Sequence, residues 1–210
     1  RRAARYDEAT DEVEATRWSG ILGSMMLANV LGREGRRALV TSGIGGDADG
    51  VARAVAGAAA AARLRGARLG LLGGIIPGYG DVVLEPAAAA GLGIELVPVE
   101  EAAVASALAA SEEDDGAPIP GRLDVRPDAA PLVERSRRVA RFLRAIARDA
   151  RLDALALNCH SPVLRNGDAL GVVGCLGATL LAEGGLPVAC TGDAATTVAL
   201  MRSEEHTSEL

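Results

Sequence analysis

The chain has 210 residues, 49% hydrophobic and 2% aromatic, with 22 basic and 28 acidic side chains that leave a formal charge of −6. Every base is arginine and the acids are scattered along the whole length, so there is no basic stripe to neutralise phosphates, which argues against a nucleic-acid partner. No apolar run reaches the roughly 18 residues of a membrane span, since the Ala-rich stretch 55–62 meets Arg63 and Arg65, and this excludes a transmembrane reading.

The opening Arg1-Arg2-Ala-Ala-Arg5 has no apolar core of the kind a secretory signal needs, and the chain is expected to begin inside a longer reading frame. Residues 18–32 carry Ile21, Leu22, Met25, Met26, Ala28 and Leu31 at spacings of three and four, which predicts an amphipathic helix ended by Gly32. A short strand follows at 38–41, an Ala-rich helix at 49–65 and a buried strand at 67–72. A helix at 85–91, a strand at 94–97 and a helix at 100–110 complete the first half. Segment 111–127 holds Glu112-Glu-Asp-Asp115, two proline turns and no apolar period, and reads as a linker or long loop. Residues 128–150 then form a strongly periodic helix, with Leu132, Val139, Phe142, Leu143 and Ile146 on one stripe and arginines on its solvated face. A strand at 153–157, a loop at 158–170, a helix at 171–183 and a strand at 187–190 lead into a last helix. Strands alternating with helices predict an α/β fold, with Rossmann-like parallel sheets and crossover helices. The expected division is a domain at 1–110, a linker at 111–127 and a second domain at 128–201. Segment 202–210 looks like a translated sequencing adaptor; without its one base and three acids the charge is about −4.

In open parallel sheets, ligands sit outside the carboxyl ends of the strands, and four such ends here are polar or Gly-rich. Thr41-Ser-Gly-Ile-Gly-Gly-Asp47 reads first as a flexible turn capping a helix. In the loop 73–81, Pro77 lacks an N–H and fixes φ, so it is a shaped turn more than a phosphate cradle, and a nucleotide-dependent enzyme is disfavoured. The third end, Asn158-Cys159-His160-Ser161, opens the richest polar cluster. There His160 is placed to act as a general acid/base or metal ligand, or to be structural. Cys159 reads more readily as a structural thiol than as a nucleophile. The fourth, Cys190-Thr191-Gly192-Asp193, leaves a strand and opens a helix, where Asp193 either caps that helix or faces the crevice of His160; their two strands, one crossover apart, should lie side by side. Cys159, Cys175 and Cys190 are an odd number without CxxC spacing, which fits reduced thiols in a cytoplasm.

Three segments together resemble the L-fucose/L-arabinose isomerase-like family. They are Thr16-Arg-Trp-Ser-Gly20 opening a helix that ends in Leu31-Gly-Arg-Glu-Gly35; Leu64-Arg-Gly-Ala-Arg-Leu-Gly-Leu-Leu-Gly-Gly74 followed by Pro77-Gly78; and Leu152-Asp-Ala-Leu-Ala-Leu-Asn-Cys159, Leu180-Leu-Ala-Glu-Gly184 and Pro187-Val-Ala-Cys-Thr-Gly-Asp193. The resemblance implies a fragment of a sugar isomerase-like protein with stacked Rossmann-like domains, working as a homo-oligomer on a small-molecule sugar. It further implies aldose–ketose interconversion through an enediol held by a divalent metal, Mn²⁺ in the family, with Asp193 and His160 as the catalytic candidates. Arg17, Trp18, Pro77, Tyr79, Asn158, Cys159 and Thr191 fall where that family lines its sugar site. Thr191 stands where the family has a metal-ligating Glu, and the remaining ligands of that family lie beyond this chain. The alternative is a non-catalytic sugar-binding or regulatory relative that has lost the metal.

Overall fold

A computed structural model describes residues 21–36, 38, 40, 48–110, 126–165 and 172–202. The chain divides into two compact units, Arg1–Ala59 and Ala60–Leu210. In the first, helix α1 is Ile21–Arg33. It runs through Gly32, the expected stop, because a glycine inside a helix costs only about 1 kcal/mol and does not terminate it. The stop comes at Gly35, whose φ of 71° lets its own N–H reach the Gly32 carbonyl while the Arg36 N–H reaches Leu31, at 3.1 and 2.8 Å. Ala38 and Val40 belong to no strand; Leu39 and Thr41 of the expected strand, and the loop as far as Asp47, lie outside the described residues. Helix α2, Ala48–Leu64, starts here with Asp49 in its first turn, where a carboxylate suits the positive helix end.

The second unit contains β1 (Arg68–Leu72), a 3₁₀ turn (Gly80–Val82), α3 (Pro86–Leu92), β2 (Glu95–Val99) and α4 (Glu101–Ala110). A 3₁₀ turn (Pro127–Ala129) then leads into α5 (Ala130–Asp149), followed by β3 (Ala154–Leu157), α6 (Pro162–Arg165), α7 (Cys175–Glu183), β4 (Val188–Ala189) and α8 (Ala194–Arg202). The strands form one parallel sheet in the order β2-β1-β3-β4, flanked by helices, which is the expected Rossmann-like α/β architecture. Leu69 lies opposite Leu96 on one side and Ala154 on the other. The sheet is continuous across the expected linker 111–127, with β1 before it paired to β3 after it. β1 is buried along most of its length and needs a partner on both edges; β2 supplies one and β3, from beyond the linker, supplies the other. Edge strand β2 tolerates Pro98 because its missing N–H leaves no gap in a ladder.

Strand alternation feeds two cores. Leu155 and Leu157 join Phe142, Leu143, Val139, Leu180 and Leu181 on one face, while Ala156 and Leu69 join Leu64, Ala89, Ile94 and Ala194 on the other. α5 is the main lid of the first core, but its stripe is shifted from the expected one. Leu132 is 50% exposed, whereas Ser136 is buried with its hydroxyl donating to the Leu132 carbonyl at 2.9 Å. The reason is the partner helix: a Cβ on Gly177 of α7 would come 2.5 Å from Val139 Cγ1 and 2.9 Å from the Ser136 carbonyl, so the two backbones touch where both residues are small. α7 begins at Cys175, later than the expected 171, and the expected loop 158–170 contains the α6 turn, which Pro162 opens. α8 takes in Arg202, the first residue of the expected adaptor segment; residues 203–210 lie outside the described residues. Among the described residues no helix is long and apolar enough to cross a membrane.

Candidate functional site

The strand order places the reversal of winding between β1 and β3, since β2 is added beyond β1 on one side and β4 beyond β3 on the other. In a sheet of this kind the crevice outside the carboxyl ends at that point is where ligands bind. Three loops converge there: Gly73-Gly74 after β1, Asn158 to Ser161 after β3, and Cys190 to Asp193 after β4. The last two come together because β3 and β4 are paired neighbours, as the single crossover between them predicts.

Asn158 ties the first two loops together. Its backbone N–H donates to the Leu72 carbonyl at 2.8 Å, its side-chain amide donates to the Gly73 carbonyl at 2.9 Å, and its Oδ1 accepts the His160 N–H at 3.0 Å. With 5% of its surface exposed it is a bracket between strand ends before it is a ligand contact. Gly73 must be glycine on two counts: its φ is 81°, and a Cβ there would lie 2.7 Å from Ser161 Cβ. Ser161 is only 4% exposed, and its Oγ is buried without a hydrogen-bond partner. Such a group is rare and marks a place where a further polar atom would be stabilised.

The loop after β4 carries the least expected backbone. Thr191 has φ 63° and Gly192 φ 70°, and the Gly192 N–H donates to the Leu157 carbonyl at 2.9 Å. A β-branched residue in the left-handed region costs on the order of 1–2 kcal/mol, and such strain concentrates at functional sites. Asp193 follows as the cap of α8. Oδ1 accepts the Thr196 N–H and Oδ2 accepts the Thr196 hydroxyl, both at 2.7 Å. The capping alternative for Asp193 is thus the one the geometry displays.

Cysteine chemistry also gathers at this edge. The Cys190 thiol donates to Cys159 Sγ at 3.1 Å, and all three cysteines are free. Burial, then the hydrogen bond with Cys190, pushes the Cys159 thiol up, and burial together with Cys190 does the same to Cys175 at the first position of α7. These groups are neutral thiols at neutral pH.

The other expected site residues are dispersed. His160 is exposed and held through its backbone, and Pro77 and Tyr79 stand on an exposed turn, where the Tyr79 N–H donates to the Ile76 carbonyl at 3.1 Å. Arg17 and Trp18 lie outside the described residues. Beside the crevice, a cavity of about 30 Å³ lined by Leu71, Gly74, Gly192 and Ala194 has room for about one water. Larger hollows lie elsewhere: one of about 400 Å³ is lined by Arg144, Arg148, Arg151 and Asp153, and one of about 390 Å³ by Arg63, Arg65 and Met201. The sequence places Ser161 and Gly73-Gly74 in strand-end loops but assigns neither a role of its own. Only the Pro162 beside Ser161 and the paired glycines were visible signals.

Among the described residues no group of three or more His, Cys, Asp or Glu side chains is arranged to hold a metal. Of the individual donors, Thr191 cannot ionise, each Asp193 oxygen already accepts one hydrogen bond from Thr196, and neutral thiols are poor ligands for a hard cation. No protein-family model matches the chain, and no curated protein matches it.

Proposed function

We propose that the strand-end crevice is a sugar-binding site in a relative of the L-fucose/L-arabinose isomerase-like family, one that holds its ligand without a metal of its own. The observation that carries this reading is Thr191, a β-branched residue at φ 63° between Cys190 and Gly192, in the position where the resemblance calls for a metal-ligating Glu. The strained residue is a hydroxyl-bearing one, in a loop that reaches the Gly74 carbonyl through Gly192. Support comes from the unpartnered Ser161 hydroxyl and from Gly74, where a Cβ would meet nothing within 4 Å and the backbone stands open, because a polyol is bound by many neutral hydrogen bonds more than by charge. Aldose–ketose isomerisation by this chain would need acidic ligands that Thr191 and the capping Asp193 do not offer. The proposal includes a cytoplasmic setting, in keeping with three free thiols, and assembly as a homo-oligomer.

The test is ligand-observed NMR of the full chain with L-fucose and L-arabinose, in EDTA and then with added Mn²⁺. The expected result is saturation transfer from protein to sugar in EDTA, unchanged by Mn²⁺ and lost in Ser161→Val, whose branched side chain replaces the hydroxyl. Binding that appears only with Mn²⁺ would restore the metal-dependent reading. No transfer to either sugar under both conditions would remove the sugar site.

A further inference from the structure

Two of the three cysteines sit in a relationship that packing alone does not call for. Cys159 lies two residues beyond the end of β3 and Cys190 one beyond the end of β4, and the parallel pairing of Ala156 with Ala189 fixes where both loops begin. Their sulfurs are 3.1 Å apart, and both residues are half-buried at the rim of the crevice, not sealed in either core. A disulfide requires about 2.0 Å between sulfurs, so the two need to close by about 1 Å, a rotation about side-chain bonds. Cys175, exposed at the start of α7, also interacts with Cys190 through its charge and a side-chain hydrogen bond, so Cys190 has two thiol neighbours and Cys175 is the rival partner.

We propose that Cys159 and Cys190 form a redox-modification site, a dithiol that a hydroperoxide oxidises reversibly to an intramolecular disulfide. The sulfur of one thiol attacks the peroxide through the small fraction present as thiolate; an S–O bond forms, the O–O bond breaks and the first water leaves. The second sulfur then attacks the resulting sulfenic acid; the S–S bond forms, the S–O bond breaks and a second water leaves. Both thiol protons end in the two waters, the sulfur pair gives up two electrons, and the peroxide takes them. A thiol reductant reverses the step by exchange. Closure ties the loop of Asn158 and His160 to the loop of Thr191 and Asp193, so the oxidation state of the pair sets how far the two crevice walls can move apart. This holds whatever ligand the crevice takes.

The experiment treats the purified, reduced full chain with one equivalent of hydrogen peroxide, counts thiols by maleimide mass tagging, and maps the peptides without reduction. The expected outcome is loss of two of the three thiols with a mass lower by two hydrogens, one linked peptide joining Cys159 to Cys190, and complete return with dithiothreitol. Cys175→Ser behaves like the parent, and Cys159→Ser or Cys190→Ser loses the effect. Oxygen added at separate cysteines, a link to Cys175, or disulfide between two chains would each overturn the proposal. The map on the unsubstituted protein decides it even where a variant does not fold.

Discussion

Asn158→Ala removes the bracket between the β1 and β3 loops, and its cost can be worked from two bonds. The side-chain amide donates to the Gly73 carbonyl at 2.9 Å and Oδ1 accepts the His160 N–H at 3.0 Å. A hydrogen bond contributes about 0.5–1.5 kcal/mol net, and a buried partner left unsatisfied costs about 1–3 kcal/mol. The His160 N–H, on an exposed residue, can turn to water, whereas Gly73 lies so near Ser161 that a Cβ would come within 2.7 Å of it, which leaves little room for a replacing water at the Gly73 carbonyl. The expected loss is therefore about 2–4 kcal/mol, or a drop in Tm of about 4–16 °C for a unit of this size. Urea denaturation followed by circular dichroism measures it. Asn158→Asp has the same shape, keeps the acceptor for His160 and aims a second oxygen at the Gly73 carbonyl; it should lose at least as much at neutral pH and recover at acid pH, where a protonated carboxyl donates to that carbonyl. A change of less than about 0.5 kcal/mol for Asn158→Ala, the range of an ordinary surface substitution, would refute the bracket.

Thr191→Gly is expected to stabilise the fold by about 0.5–1 kcal/mol, the relief of left-handed strain less the entropy of a glycine, with sugar transfer reduced; a destabilised variant would show that Thr191 is not strained. Asp193→Ala should cost about 0.5–2 kcal/mol in thermal melts, while Asp193→Asn, an equally good cap, stays near the parent; equal losses in both would assign Asp193 a role that depends on its charge. Gly177→Val forces α5 and α7 apart at Val139 and Ser136 and should cost about 1–3 kcal/mol or more, read from the same melts. With Cys159 and Cys175 both raised by burial, the unfolded chain gives up these protons first as pH rises. Their stabilisation is complete below the ordinary thiol range and lost above it, so alkaline melts should be flatter in Cys159→Ala. Peroxide-closed protein, its linked cysteines 31 positions apart, should melt higher than the reduced form, with a gain in stability of at most about 3–4 kcal/mol.

The local chemistry of the chain is legible in its residues. The 3.6 period of α5, the apolar runs of β1 and β3 and the glycines between them follow from residue type and spacing alone, and they predict a parallel α/β fold with polar loops at strand ends. Adjacency of β3 and β4 is legible too, because one short crossover allows little else. The pairing of β1 with β3 is not, since a long segment separates them and nothing local records which strand fills a free edge. For the same reason the stripe of α5 slides from Leu132 to Ser136 where Gly177 comes against it.

At the site, sequence names the loops and structure decides what their side chains do. Asp193 is open between cap and crevice in the sequence because both roles need a carboxylate at a helix start; two short bonds to Thr196 show the cap. Ser161 and the meeting of Cys159 with Cys190 have no signature, because burial without a partner and a 3.1 Å contact between residues 31 apart are properties of packing. Periodicity and turn chemistry act within a few residues and are written in the chain itself. Which loops share a crevice depends on strand order, which only the assembled sheet sets.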